Sequence, residues 1–132
     1  MDIEKARAYC LSFPHATENV QWGNDLVFKI GGKMFAVAVL ETGPYCLSFK
    51  CTPERFTELI EEDGVDPAPY SARYHWVALR RFNALPEKEL KALLQDSYNH
   101  VRAKLPKRTE AELEGKAPPG KAKRRQRNFG VR

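Results

Sequence analysis

Ile3, Ala6, Tyr9, Cys10 and Phe13 recur at helical spacing behind Asp2 and Glu4, which predicts an amphipathic helix running to about Ser12, where Pro14 stops it. The pattern then changes. Alternating or aromatic-rich stretches at Thr17 to Trp22, Leu26 to Ile30, Lys33 to Leu40 and Tyr45 to Lys50 are separated by Gly23-Asn24-Asp25, Gly31-Gly32 and Thr42-Gly43-Pro44. That rhythm predicts an antiparallel meander, with Gly31-Gly32 supplying the positive φ angles of a two-residue hairpin turn. Thr52-Pro53-Glu54 is a helix start: an N-cap hydroxyl, proline at the first helical position and a carboxylate at the positive end of the dipole. Phe56, Leu59 and Ile60 make its apolar stripe, and Gly64 is placed to end it.

Asp66-Pro67-Ala68-Pro69-Tyr70 predicts a rigid loop, Tyr74 to Leu79 a fifth strand, and Pro86 to Leu105 a long helix whose stripe is Leu90, Leu93, Leu94, Ser97, Tyr98, Val101 and Leu105. Thr109 and Glu112 have the spacing of a capping box for one further turn. Strands clustered between helices, instead of alternating with them, predict an α+β domain. The expected order is α-β-β-β-β-α-β-α: an antiparallel sheet of about five strands with helices packed on one face. Residues 1–106 form the expected domain, 107–114 a short helical extension, and 115–132 a tail of different character.

Charge sets the tail apart. Lys116, Lys121, Lys123, Arg124, Arg125, Arg127 and Arg132 lie in it without a carboxylate, which leaves fifteen Lys and Arg against all seventeen Asp and Glu in the remainder. The formal +5 of the chain is therefore a body near −2 joined to an arm of +7. Such an arm, rooted in Gly115, Pro118, Pro119 and Gly120, has too little apolar surface to order itself and is expected to be a solvated segment seeking a polyanion.

With 132 residues and 42% apolar content, the chain fits one domain that buries roughly 65% of its unfolded surface. No apolar run reaches the roughly 18 residues of a membrane span. The Met1-Asp2-Ile3-Glu4-Lys5 start has no secretory pattern, so a cytoplasmic location is expected. Cys10, Cys46 and Cys51 are odd in number and match no metal spacing; Cys46 and Cys51, at the ends of one apparent strand, are expected on opposite faces as reduced thiols.

Catalytic signals are thin. There is no G-x-S-x-G, and His15, His75 and His100 lie in unrelated contexts without metal-ligand spacing. Gly31-Gly32-Lys33 lacks the length of a phosphate loop and opens a strand instead of a helix. Glu61-Glu62-Asp63 reads as a solvated helix end whose carboxylates do not converge.

Two constellations remain. In the hairpin Phe28 to Ala36 and the strand Leu47 to Cys51, alternation sends Phe28, Ile30 and Phe49 to one face and Lys29 and Lys50 to the other, with Lys33 at the turn. These lysines either keep the sheet soluble or form a phosphate-contacting face beside a wing-like hairpin tip. The second constellation, Pro67 to Trp76, sets Tyr70, Tyr74, His75 and Trp76 around Arg73, with Arg80 and Arg81 beyond. Aromatic and basic residues interleaved in this way stack bases and grip phosphates. Trp76 and Tyr74 are expected to share a strand face, and the competing reading makes Trp76 a core residue bracing the helices.

Phe13-Pro14-His15-Ala16-Thr17-Glu18, the Phe28 to Ala36 hairpin, Leu47 to Cys51 leading into Pro53-Glu54, the Pro67 to Tyr70 loop, His75-Trp76-Val77 and Ser97-Tyr98 together resemble the MmcQ/YjbR family over residues 1–106. The resemblance implies a fold like bacterial frataxin (CyaY) and secretion chaperones, and a double-wing mode of DNA binding. By position it carries the family's lysines to Lys29, Lys33 and Lys50, and its aromatics to Tyr70 and Trp76. The expected function is that of a non-enzymatic, monomeric DNA-binding protein without cofactor, metal, membrane or small-molecule substrate. Its expected nucleic-acid contacts are Lys29, Lys33, Lys50, Tyr70, Arg73, Trp76, Arg80, Arg81, Lys121, Lys123, Arg124, Arg125 and Arg127, with DNA favoured over RNA. The alternative is a protein-interaction or chaperone-like domain that takes a peptide on its aromatic surface; a third reading makes the arm an RNA tether.

Overall fold

Apolar periodicity and local capping account for most of the architecture in the computed structural model, which describes residues 1–115. The arm contacts Lys121, Lys123, Arg124, Arg125 and Arg127 lie outside the described residues. Helix α1 (Ile3–Leu11) begins where the Asp2 carboxylate accepts the Lys5 N–H at 2.8 Å. Strands β1 (Thr17–Gln21), β2 (Asp25–Ile30), β3 (Lys33–Val39) and β4 (Leu47–Lys50) follow. Helix α2 (Pro53–Leu59) starts on the Thr52 hydroxyl, which accepts the Arg55 N–H at 3.2 Å. Then come β5 (Val65–Pro67), β6 (Trp76–Leu79), α3 (Glu87–Ala103) and α4 (Lys107–Leu113).

The six strands form one antiparallel sheet in the order β1-β2-β3-β4-β6-β5. Gly31 and Gly32, at φ +58° and +82°, make the expected tight turn between β2 and β3. Phe28 is opposite Ala36 but Lys29 is opposite Met34, so Phe35 is an extra residue on β3 and a bulge forms there. The bulge turns both Phe35 and Ala36 into the helix-side core with Phe28, Ile30, Phe49, Leu79 and Leu94, all fully buried. Each such aromatic or leucine removed from water contributes about 1.5–3 kcal/mol. Phe13, Phe35 and Tyr98 stack as a trio within this layer, with ring centres 4.8–5.8 Å apart.

The sheet's other face carries a smaller cluster of Val27, Val37, Ala68, Trp76 and Ala78, flanked by Met34 and Tyr45. Trp76 is thus buried, but on the face away from the core that holds α3; it does not brace the helices. Five further expectations are corrected. Val65–Pro67, read partly as loop, is an edge strand, where Pro67 removes no needed ladder bond. Tyr74 ends a 3-10 turn (Ala72–Tyr74) and His75 takes φ +65°, so β6 begins only at Trp76, and Tyr74 shares no strand face with it. Helix α2 stops at Leu59, leaving Glu61, Glu62 and Asp63 in the turn before Gly64, and α4 starts on Pro106 without the Thr109 capping box. Cys46 and Cys51 flank β4, outside its span, and both pack against the helix-side core as free thiols.

Candidate functional site

Register across the sheet decides which basic groups meet. Directly opposed residues in antiparallel strands point to the same face, so Lys50 on β4 stands beside Trp76 on β6, and Lys29 on β2 beside Met34 on β3. At this end of the sheet the last turns of α3 overhang the strands. They close a pocket of about 540 Å³ around Lys33, Lys50, Tyr74, Trp76, His100 and Lys104, with Met34, Val101 and Leu105 as apolar wall. No Asp or Glu lines it. Three lysines and a histidine therefore converge on one space without a carboxylate partner there.

That arrangement carries an electrostatic cost, borne by Lys50 and His100. Lys50 is half-buried, and its ammonium is pulled below the usual lysine value by desolvation first and by the Lys104 charge second. His100 is likewise lowered by desolvation, then by Lys104 and Lys50. The Lys50 ammonium donates to the Tyr74 carbonyl at 2.6 Å, which anchors it at the pocket mouth. An anion entering here would relieve like-charge repulsion among the lining residues.

The remaining candidates fall into different settings. Arg80 is held by the Asp66 carboxylate at 2.8 and 3.1 Å, and that carboxylate also accepts from the Tyr45 hydroxyl at 2.8 Å. Both hydrogen bonds hold Asp66 below the ordinary carboxylate range, Arg80 the more strongly. Arg81 pairs with Asp63 at 2.8 Å. Arg73 lies over the Tyr74 ring, 4.9 Å from its centre, and is exposed. Lys29 shares the open face but does not line the pocket. Tyr70 is fully exposed at φ +66°. His100 and Lys104 were not singled out from the sequence; their i, i+4 spacing beside Val101 and Leu105 is the one signal that put them on a common helix face.

Nothing points to a metal or a thiol nucleophile among the described residues. No group of three His, Cys, Asp or Glu side chains is placed to hold an ion. Burial pushes Cys10 up to about 12 and Cys46 and Cys51 each up to about 11, so all three are protonated near neutrality. No helix among the described residues is long and apolar enough to cross a membrane.

The fold and pocket define a small α+β domain with a half-open sheet and a cationic end. The YjbR family description matches residues 11–100, and the chain belongs to the YjbR family. It is similar to the Deinococcus radiodurans protein DR2400, a DUF419-domain protein, at 29% identity and a TM-score of 0.76, covering 90% of this chain and 93% of that one. A Pseudomonas syringae protein shares the fold at 21% identity and a TM-score of 0.64, covering 77% of this chain and all of that one. No curated protein matches.

Proposed function

We propose that this protein binds nucleic acid, DNA in the first instance, through the cationic end of its sheet, with the basic arm adding affinity. One observation carries the reading: Lys33, Lys50, His100 and Lys104 line one pocket with no carboxylate among the lining residues, in a body whose net charge is slightly negative. Surface lysines that serve solubility alone have no reason to crowd where burial and a neighbouring ammonium together disfavour the charge on Lys50 and His100. Phosphate is the anion that such a site meets at high local density on DNA, and the contacts position the duplex without reading its sequence. Arm residues Lys121, Lys123, Arg124, Arg125 and Arg127 supply sequence-independent attraction through released counterions. No part of this role calls for catalysis or for a second copy of the chain.

Fluorescence anisotropy of a labelled duplex against the full chain at several salt concentrations tests the proposal. If all seven arm charges reached phosphates, they alone would give log K against log salt a slope of about −6. Replacing Lys123, Arg124, Arg125 and Arg127 with Ala removes about 3.6 of that slope by the same rule. Absence of binding at low salt, or binding indifferent to both the arm and Lys50, would overturn it.

A further inference from the structure

Next to the cationic pocket, and sharing Met34 and Trp76 with it, lies a second cleft of about 540 Å³ on the open face of the sheet. Its floor is Val37, Trp76 and Ala78, and its rims carry Trp22 and Tyr70. Both rim residues hold left-handed backbones, φ +51° and +66°, a conformation that bulky side chains rarely adopt. Both also leave their rings in water, Trp22 at 67% and Tyr70 at 102% exposure. Backbone strain that ends in two exposed aromatic rings beside an apolar floor has no packing rationale, and strain of this kind gathers at ligand clamps. Asp25 is the cleft's one carboxylate, at the Trp22 end, whereas the end continuous with Lys50 and Lys104 is positive.

From this polarity we infer that the cleft takes an unpaired nucleobase of single-stranded DNA, stacked on Trp22 and Tyr70 over Trp76, with the adjoining phosphate on Lys50 and Lys104. The inference deepens the proposed nucleic-acid binding and rests on it. Charge complementarity selects the occupant: a flat apolar group joined to an anion matches an aromatic cleft opening into a lysine pocket, while a purely apolar peptide leaves the lysines unpaired. A base inside a duplex is stacked on its neighbours and cannot enter, so the site discriminates strandedness.

The chain's two tryptophans both line the cleft, so intrinsic fluorescence reports its occupancy directly. Titrating the full chain with oligothymidylate should quench that emission, and Tyr70→Ala should weaken single-strand affinity by about tenfold, as expected when one stacking partner is lost. The same variant should weaken duplex affinity much less than single-strand affinity, while Lys50→Gln weakens both. Tyr70 is wholly exposed, so the variant keeps its fold, which circular dichroism verifies. Equal single-strand binding by wild type and Tyr70→Ala, or quenching by an apolar peptide that oligothymidylate does not displace, would refute the cleft assignment while leaving duplex binding intact. No binding of either strand form would remove the proposed function and this site together.

Discussion

The Ser97 hydroxyl donates to the Phe35 carbonyl at 2.6 Å and accepts the Lys50 N–H at 3.2 Å, joining α3 to two neighbouring strands through one buried atom. The β3–β4 ladder runs only as far as Ala36 opposite Phe49, because the bulge at Phe35 carries the next backbone groups out of register. Ser97 stands in for the missing bond. Lys50, which carries the pocket's half-buried ammonium, is thereby fixed at its backbone by a residue on the same helix as His100 and Lys104.

Ser97→Ala should therefore destabilise the domain by about 1–3 kcal/mol, since a buried carbonyl and a part-buried N–H both lose their partner. Chemical denaturation measures it. The Lys50 contribution to the salt dependence of DNA binding should fall in the same variant, because the strand end is no longer pinned. A variant of unchanged stability would mean that the strands close the gap themselves.

The His100 titration offers a direct probe of the pocket. Desolvation, Lys104 and Lys50 hold its folded value below the ordinary 6.5, so the unfolded chain binds the proton more readily. Stability from this group is full above 6.5 and is lost as pH falls through the lower folded value. An NMR titration should find the His100 midpoint below 6.5 in the free protein and moved upward when a short duplex or inorganic phosphate is present. Lys104→Gln should raise the free midpoint by itself.

Arg80 and Lys50 separate charge that is available from charge that is spent. Asp66 already neutralises Arg80 at 2.8 Å, whereas no carboxylate lines the space around Lys50. Arg80→Gln should leave the salt slope of DNA binding unchanged, and Lys50→Gln should reduce it by about 0.9, the value of one phosphate contact. The comparison uses full-length protein in both cases, so the arm contributes equally to each.

Much of this architecture was legible in the chain because it rests on local rules. The helix stripes, Thr52-Pro53 and Gly31-Gly32 each declare an element within a few residues. What escaped depends on pairing at a distance. Val65–Pro67 is too short to alternate and contains a proline, and it becomes a strand only because β6 offers an edge. Tyr74 looked like strand because aromatics favour strands, yet His75 at positive φ without glycine breaks the run. The pocket itself combines a hairpin, two strands and the end of α3, and only packing brings Lys104 to Lys50. The residues that carry the family resemblance divide in the same way. Tyr98 donates to the Pro14 carbonyl at 2.7 Å and Ser97 bridges strands, so these positions hold the fold, while Lys33, Lys50 and Trp76 face the pocket.

Gly31 and Gly32 together test how firmly α4 belongs to the domain. A methyl group at Gly31 would sit 2.7 Å from the Leu105 side chain and 3.0 Å from the Thr109 methyl, whereas one at Gly32 meets nothing within 4 Å. Both glycines have positive φ, so either alanine carries a backbone cost of about 1–2 kcal/mol. The crowding belongs to Gly31 alone and adds about 1 kcal/mol, tempered by the freedom of Leu105 to move aside. Gly31→Ala should consequently lose more stability than Gly32→Ala in parallel denaturation. Hydrogen exchange should quicken in α4, where Arg102 holds Glu110 from α3. Equal losses in the two variants would show that α4 sits on the hairpin without bearing on it. The pocket wall at Leu105 would then need no support from residues 107–113.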